Sequence, residues 1–156
     1  MKRFILILLT GLMVSASVFA AVTEQEWGNW YGNTGGMEFA LSSQNAAGQE
    51  LTLSCSDKKM TVRLSSRQES WSASSDEGLE KLYLMINQQA YQLENTTLFP
   101  NDPVPASIAF EALAHTGARD SIVFTSQQTG DSKPFSARGL SEALRGKTWQ
   151  DCLNQP

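Results

Sequence analysis

Histidine occurs once in this chain, at His115, and cysteine twice, at Cys55 and Cys152. One imidazole and two separated thiols do not form a ligand cluster at zinc spacing. The chain also has no phosphate-binding loop, dinucleotide fingerprint, zinc-protease helix or calcium loop, so no cofactor and no metal is expected. Basic side chains are few, with 12 Lys and Arg against 16 Asp and Glu. Nucleic-acid binding needs clustered Lys and Arg that displace counterions from phosphates, and none is expected here. Attachment to anionic lipid is disfavoured for the same reason. Beyond the N-terminus no apolar run approaches the roughly 20 residues a bilayer-spanning helix requires, and no internal repeat is present.

The N-terminus is different. Met1-Lys2-Arg3 is cationic, residues 4–19 carry no charge, and Val18 and Ala20 place small residues at −3 and −1 of a cleavage site. This pattern predicts a secretory signal peptide over residues 1–20, cleaved after Ala20. The competing reading, an uncleaved anchor, fits a run this short poorly. Residues 21–156 are then a single β-rich domain, periplasmic or secreted and not inserted in a membrane. Loss of Lys2 and Arg3 leaves 10 basic against 16 acidic groups.

In an exported chain two cysteines read as a disulfide. A Cys55–Cys152 bridge closes a loop of roughly one hundred residues, a constraint that stabilises by about 4–5 kcal/mol on chain-entropy reasoning. Cys55 lies in the clearest structural signal of the chain. Leu51, Leu53 and Cys55 alternate with polar residues, as do Met60, Val62 and Leu64, around a turn of four polar residues from Ser56 to Lys59. This predicts an antiparallel hairpin with one buried face.

Residues 27–36 combine Trp27, Trp30 and Tyr31 with four glycines. They read either as an aromatic binding platform or as a plug for one end of the core. Residues 37–41 alternate as a strand. The Ser-rich residues 65–78 form a long polar stretch whose one large apolar residue is Trp71. Read as a long loop it presents Trp71 and the Asp76-Glu77 pair to a partner; read as an edge strand over residues 68–72 it folds Trp71 back inside. Residues 82–86 and 90–93 predict a second hairpin whose first strand is central and buried on both faces.

Residues 94–105 hold Pro100, Pro103 and Pro105, which exclude a regular ladder. They also contain Asn95-Thr96-Thr97, a glycosylation sequon relevant only to a eukaryotic secretory route. Residues 107–114 fit alternation through Ile108, Phe110, Ala112 and Ala114, while Ile108, Ala112 and Leu113 fit a helical face and the composition favours a short helix. Residues 121–125 predict a strand, residues 133–138 its returning partner, and residues 139–145 a helix stopped by Gly146. The expected fold is mainly β, an antiparallel sandwich or partly closed barrel with a short C-terminal helix and one disulfide.

Candidate chemistry is sparse. No serine sits in a nucleophile elbow that would recruit His115. Distant carboxylate pairs of the glycosidase kind leave no sequence trace, and Asp76-Glu77 is the one acidic pair in a plausible place. The β-run of residues 121–125, then Phe135-Ser136-Ala137-Arg138-Gly139-Leu140, Ala143-Leu144 and Cys152, preceded by residues 82–86, resembles exported bacterial β-sandwich proteins of the invasion-associated locus B type. That resemblance covers about half of residues 21–156 and implies a non-catalytic β domain.

The expectation is therefore a non-enzymatic exported binding protein with a protein partner, such as an inhibitor or immunity protein against a cell-wall-directed enzyme. Its partner-facing candidates are Trp71, Asp76, Glu77, Trp27, Trp30 and Tyr31. An accessory subunit of an envelope or secretion assembly and a hydrolase using carboxylates are the alternatives. Oligomeric state is left open.

Overall fold

A computed structural model describes residues 24–35 and 39–153. The predicted signal peptide and its cleavage site lie outside the described residues. Two antiparallel sheets pack their apolar faces together as an open sandwich, not closed into a barrel.

The first sheet is a six-stranded meander in chain order: β1 (Gln25–Trp27), β2 (Trp30–Asn33), β3 (Phe39–Gln44), β4 (Gln49–Ser56), β5 (Lys59–Ser66) and β6 (Trp71–Ser74). Alternation puts Leu51, Leu53 and Cys55 of β4 beside Leu64, Val62 and Met60 of β5 on the buried face. The hairpin joining them is tighter than its sequence predicts. Ser56 pairs with Lys59, so the turn is the two residues Asp57 and Lys58, both at positive φ (51° and 62°). A two-residue turn of this hand matches the twist of the flanking strands.

Residues 65–78 are not a long loop. The β5 ladder runs on to Ser66, residues 67–70 turn, and β6 returns with Ala73 opposite Leu64 and Trp71 opposite Ser66. The edge-strand reading holds, shifted toward the C-terminus. The aromatic N-terminal segment is likewise a regular hairpin, with Trp27 paired to Trp30.

The second sheet has the order β10-β9-β7-β8, formed by β7 (Tyr83–Ile86), β8 (Gln89–Tyr91), β9 (Ser121–Ser126) and β10 (Gly130–Asp131), with β11 (Phe135–Ser136) also on β9. β7 is central, between β8 and β9, but buried on one face only: Leu84 and Ile86 are buried, Tyr83 and Met85 half-buried. The returning partner of β9 is broken in two by residues 132–134. Pro134 offers no N–H there, and Ser132 fills the gap: its N–H donates to the Phe124 carbonyl (2.8 Å) and its Oγ accepts from the Phe124 N–H (3.0 Å).

The ambiguous segment is a helix, α1 (Pro105–Ala114), with Pro105 in the first turn, where a missing N–H costs nothing. It buries Ala106, Ala109, Phe110 and Leu113, and Phe110 packs tilted against Phe39 and edge-on against Trp149 (6.2 and 6.3 Å between centroids). The helix predicted over residues 139–145 forms as α2 (Leu140–Ala143) ahead of Gly146 (φ 75°), and a second short helix that the sequence does not announce, α3 (Trp149–Leu153), follows it. It is α3 that carries Cys152 to Cys55, and the disulfide forms with the two Cα atoms 5.1 Å apart.

Candidate functional site

The residues that the sequence nominates do not converge on one site: Trp71 and Glu77 share a cleft, while Trp27, Trp30 and Tyr31 belong to the β1–β2 hairpin. Trp30 is 1% exposed, and its indole N–H donates to the Ser136 carbonyl at 2.9 Å. Next to it the Asn29 N–H donates to the Arg138 carbonyl (2.9 Å). Gly139 adopts φ 92° so closely against the Trp27 carbonyl that any Cβ there would overlap it. The aromatic hairpin is therefore the clasp between the N-terminal strands and the C-terminal helices. Tyr31 is half-buried on the outer face and donates to Glu50 (2.8 Å). Burial, then that carboxylate, pushes its phenol pKa up from 10.0.

Trp71 is half-buried and packs on the core. Its indole N–H donates to Glu69 (2.5 Å), and with Glu77 it lines an open cleft of about 500 Å³. The acidic pair is tied down: Asp76 accepts from the Ser74 hydroxyl and ion-pairs with Lys59 at 3.4 Å, while Glu77 accepts the Ser74 N–H at 3.2 Å. The Ser74 hydrogen bond, chiefly, holds the Asp76 pKa below its ordinary 3.8. Asp120 is held down too, first by the Gly117 N–H and then by Asn87. Both are poor proton donors at neutral pH. His115 is exposed and meets Glu111 of its own helix, through the carbonyl (2.7 Å) and the carboxylate (3.9 Å). Among the described residues no three His, Cys, Asp or Glu side chains gather as a metal site would require.

A different feature stands out. The exposed large hydrophobic side chains among the described residues are Leu98 (94%), Phe99 (65%) and Ile108 (47%), and they lie on one part of the surface. Leu98 and Phe99 sit in the proline-rich connection between β8 and α1, beside an open recess of about 430 Å³. A second groove, of about 510 Å³ and bordered by β8 and Ile108, shares Gln92, Asp102, Pro103 and Pro105 with the first. The two form one continuous surface.

The loop that carries Leu98 and Phe99 is anchored at its base. The Asn95 amide clamps one residue of the opposite sheet, donating to the Met60 carbonyl and accepting the Met60 N–H, both at 2.8 Å. The Ala106 N–H donates to the Glu94 carbonyl (3.0 Å), and the Asp102 N–H to the Phe99 carbonyl (3.1 Å). The sequon asparagine thus has an internal role. Held this way, the apolar pair is displayed rather than folded back.

The charged residues that line the two recesses are Glu94 and Asp102. No Lys or Arg occurs between Lys81 and Arg119, an interval that includes Glu94, Asp102 and Glu111. That gap, together with an apolar pair inside a proline-punctuated connection, is the sequence signal that points here. Residue-type reasoning passes over it because a Leu-Phe pair in a chain reads equally as core. No protein-family model, curated protein or solved structure matches the chain.

Proposed function

We propose that this is an exported, non-enzymatic protein-binding module that presents the Leu98–Phe99 loop to a recess on its partner. The observation that carries the reading is the display of two adjacent large hydrophobes, 94% and 65% exposed, on a loop pinned by Asn95. Burying such a side chain in a partner is worth about 1.5–3 kcal/mol. A loop already held in place also loses less entropy on binding than a free one. Monomeric proteins seldom leave such a patch uncovered unless it docks something.

An inhibitor or immunity protein is the form of this module that fits best, because an apolar loop within an acidic surface suits a cationic cleft such as that of a cell-wall-directed enzyme. The inserted element is then the Leu98–Phe99 loop and not Trp71, whose side chain is half-buried against the core and hydrogen-bonded to Glu69. Export to an oxidising compartment fits the formed disulfide.

The test is affinity capture from envelope extracts with the oxidised protein and with the double variant Leu98→Ser/Phe99→Ser. The expected result is a stoichiometric protein partner retained by the first and lost by the second, with unchanged thermal unfolding. Full retention by a folded double variant removes this reading.

A further inference from the structure

We infer that the groove beside β8 receives an extended, positively charged segment of the partner, which adds to the edge of the second sheet as a further strand. The inference rests on the reading of this surface as the partner-binding site and names what lies in it.

The backbone supplies the first argument. β8 is an edge strand, paired with β7 alone. The register Ile86↔Gln89, Met85↔Ala90, Leu84↔Tyr91 across the two-residue turn Asn87-Gln88 makes Ile86–Gln89 a hydrogen-bonded pair. Alternation in an antiparallel ladder then turns the N–H and C=O of Ala90 away from β7. The N–H of Asn87 donates across to the Ser121 carbonyl of β9 (3.2 Å), as this register demands. Ala90 therefore presents its N–H and its C=O outward along the wall of the groove.

The side chains supply the second. An added strand places alternate residues toward the sheet's neighbours, and here those neighbours are Ile108 and the Pro103 and Pro105 rings, an apolar seat. The rim is of one sign, since the charged residues bordering the two joined recesses are Glu94 and Asp102. An apolar seat with carboxylates and no cation on its rim selects a segment alternating apolar and basic residues, and repels an acidic one. An edge this short would otherwise be protected by its length alone. It is the apolar wall and the displayed loop beside it that make it a dock.

The experiment uses the oxidised protein and three synthetic seven-residue peptides: alternating Lys and Val, alternating Glu and Val, and the Lys/Val peptide N-methylated on alternate residues so that it cannot pair along one edge. Amide chemical shifts are followed during titration at low salt. The Lys/Val peptide is expected to bind saturably, with shifts centred on residues 89–92. Roughly tenfold weakening is expected for the N-methylated peptide and for Asp102→Lys, and still weaker binding for the Glu/Val peptide. Ala90→Pro, which removes the outward N–H while leaving the β7 ladder whole, should act like N-methylation.

Equal binding of the N-methylated peptide, shifts confined to residues 97–100, or no binding of the Lys/Val peptide overturns strand addition. If Leu98→Ser/Phe99→Ser still abolishes capture of the protein partner, the binding-module reading survives that failure. If it does not, both fall.

Discussion

Residues 67–79, within which β6 forms, and residues 92–105, which run from β8 into α1, are both mainly polar in sequence, and each carries one large aromatic ring. Trp71 ends half-buried against the core, whereas Phe99 remains 65% exposed. The difference lies in the backbone around them. Trp71-Ser72-Ala73-Ser74 has an N–H at every position and alternates, so it joins β5 as a ladder and buries Ala73 beside Leu64. Pro100, Pro103 and Pro105 remove that option from the second region, and the residues before each proline are kept from continuing a helix. With no ladder or helix to bring them to a buried face, Leu98 and Phe99 stay outside. An aromatic in a polar stretch is thus no surface signal by itself; the hydrogen-bonding capacity of its neighbours decides.

The sharpest way to break this contrast is to truncate both aromatics. Trp71→Ala is expected to lower unfolding stability by about 1.5–3 kcal/mol with partner affinity unchanged, whereas Phe99→Ala leaves the denaturation midpoint in place and weakens the partner. Urea unfolding beside a binding isotherm separates the two, and a reversed pattern would exchange the roles of the regions.

Asn95→Ala tests whether the second region is held or merely exposed. It strands the Met60 N–H and C=O, at a cost of about 1–3 kcal/mol, and it frees the loop, so affinity should fall though neither Leu98 nor Phe99 is touched. Hydrogen exchange at Met60 and residues 95–99 reads the release directly.

The smallest effect is one of pH and concerns the tether below Trp71. Because the native carboxyl of Asp76 titrates below its ordinary 3.8, its contribution is present above that value and is lost as pH falls through the lower native one. Asp76→Asn should flatten that part of the acid limb without altering the partner contact. Tyr31 works in the opposite direction. Its native pKa lies above 10.0, so stability falls as pH rises beyond 10.0, and Tyr31→Phe should remove that fall.

Much of the architecture is legible in the residues. Leu51, Leu53, Met60, Val62 and Leu64 announce a hairpin by period alone, because an antiparallel pair with one dry face repeats every second residue. The chain holds two cysteines, so a disulfide within it can join Cys55 to Cys152 alone. The helix over residues 105–114 stayed ambiguous because Ile108 and Ala112 satisfy both periods, and packing of Phe110 against Phe39 and Trp149 resolves it. The surface candidates fared differently. Trp30 is as buried as any side chain, since an indole meeting a carbonyl across the fold, Ser136, is satisfied inside.

The sequence by itself determined β3 to β5 and their antiparallel meander, the β7–β8 hairpin, β9, the disulfide and the acidic balance, since each follows from local period, from turn chemistry or from a count. Which hydrophobes are left outside was decided only by the tertiary structure. Exposure depends on which segments find a ladder or a helix to carry them inward. For Leu98 and Phe99 that was settled by three prolines and by an asparagine clamp on Met60, a residue 35 positions away in the chain.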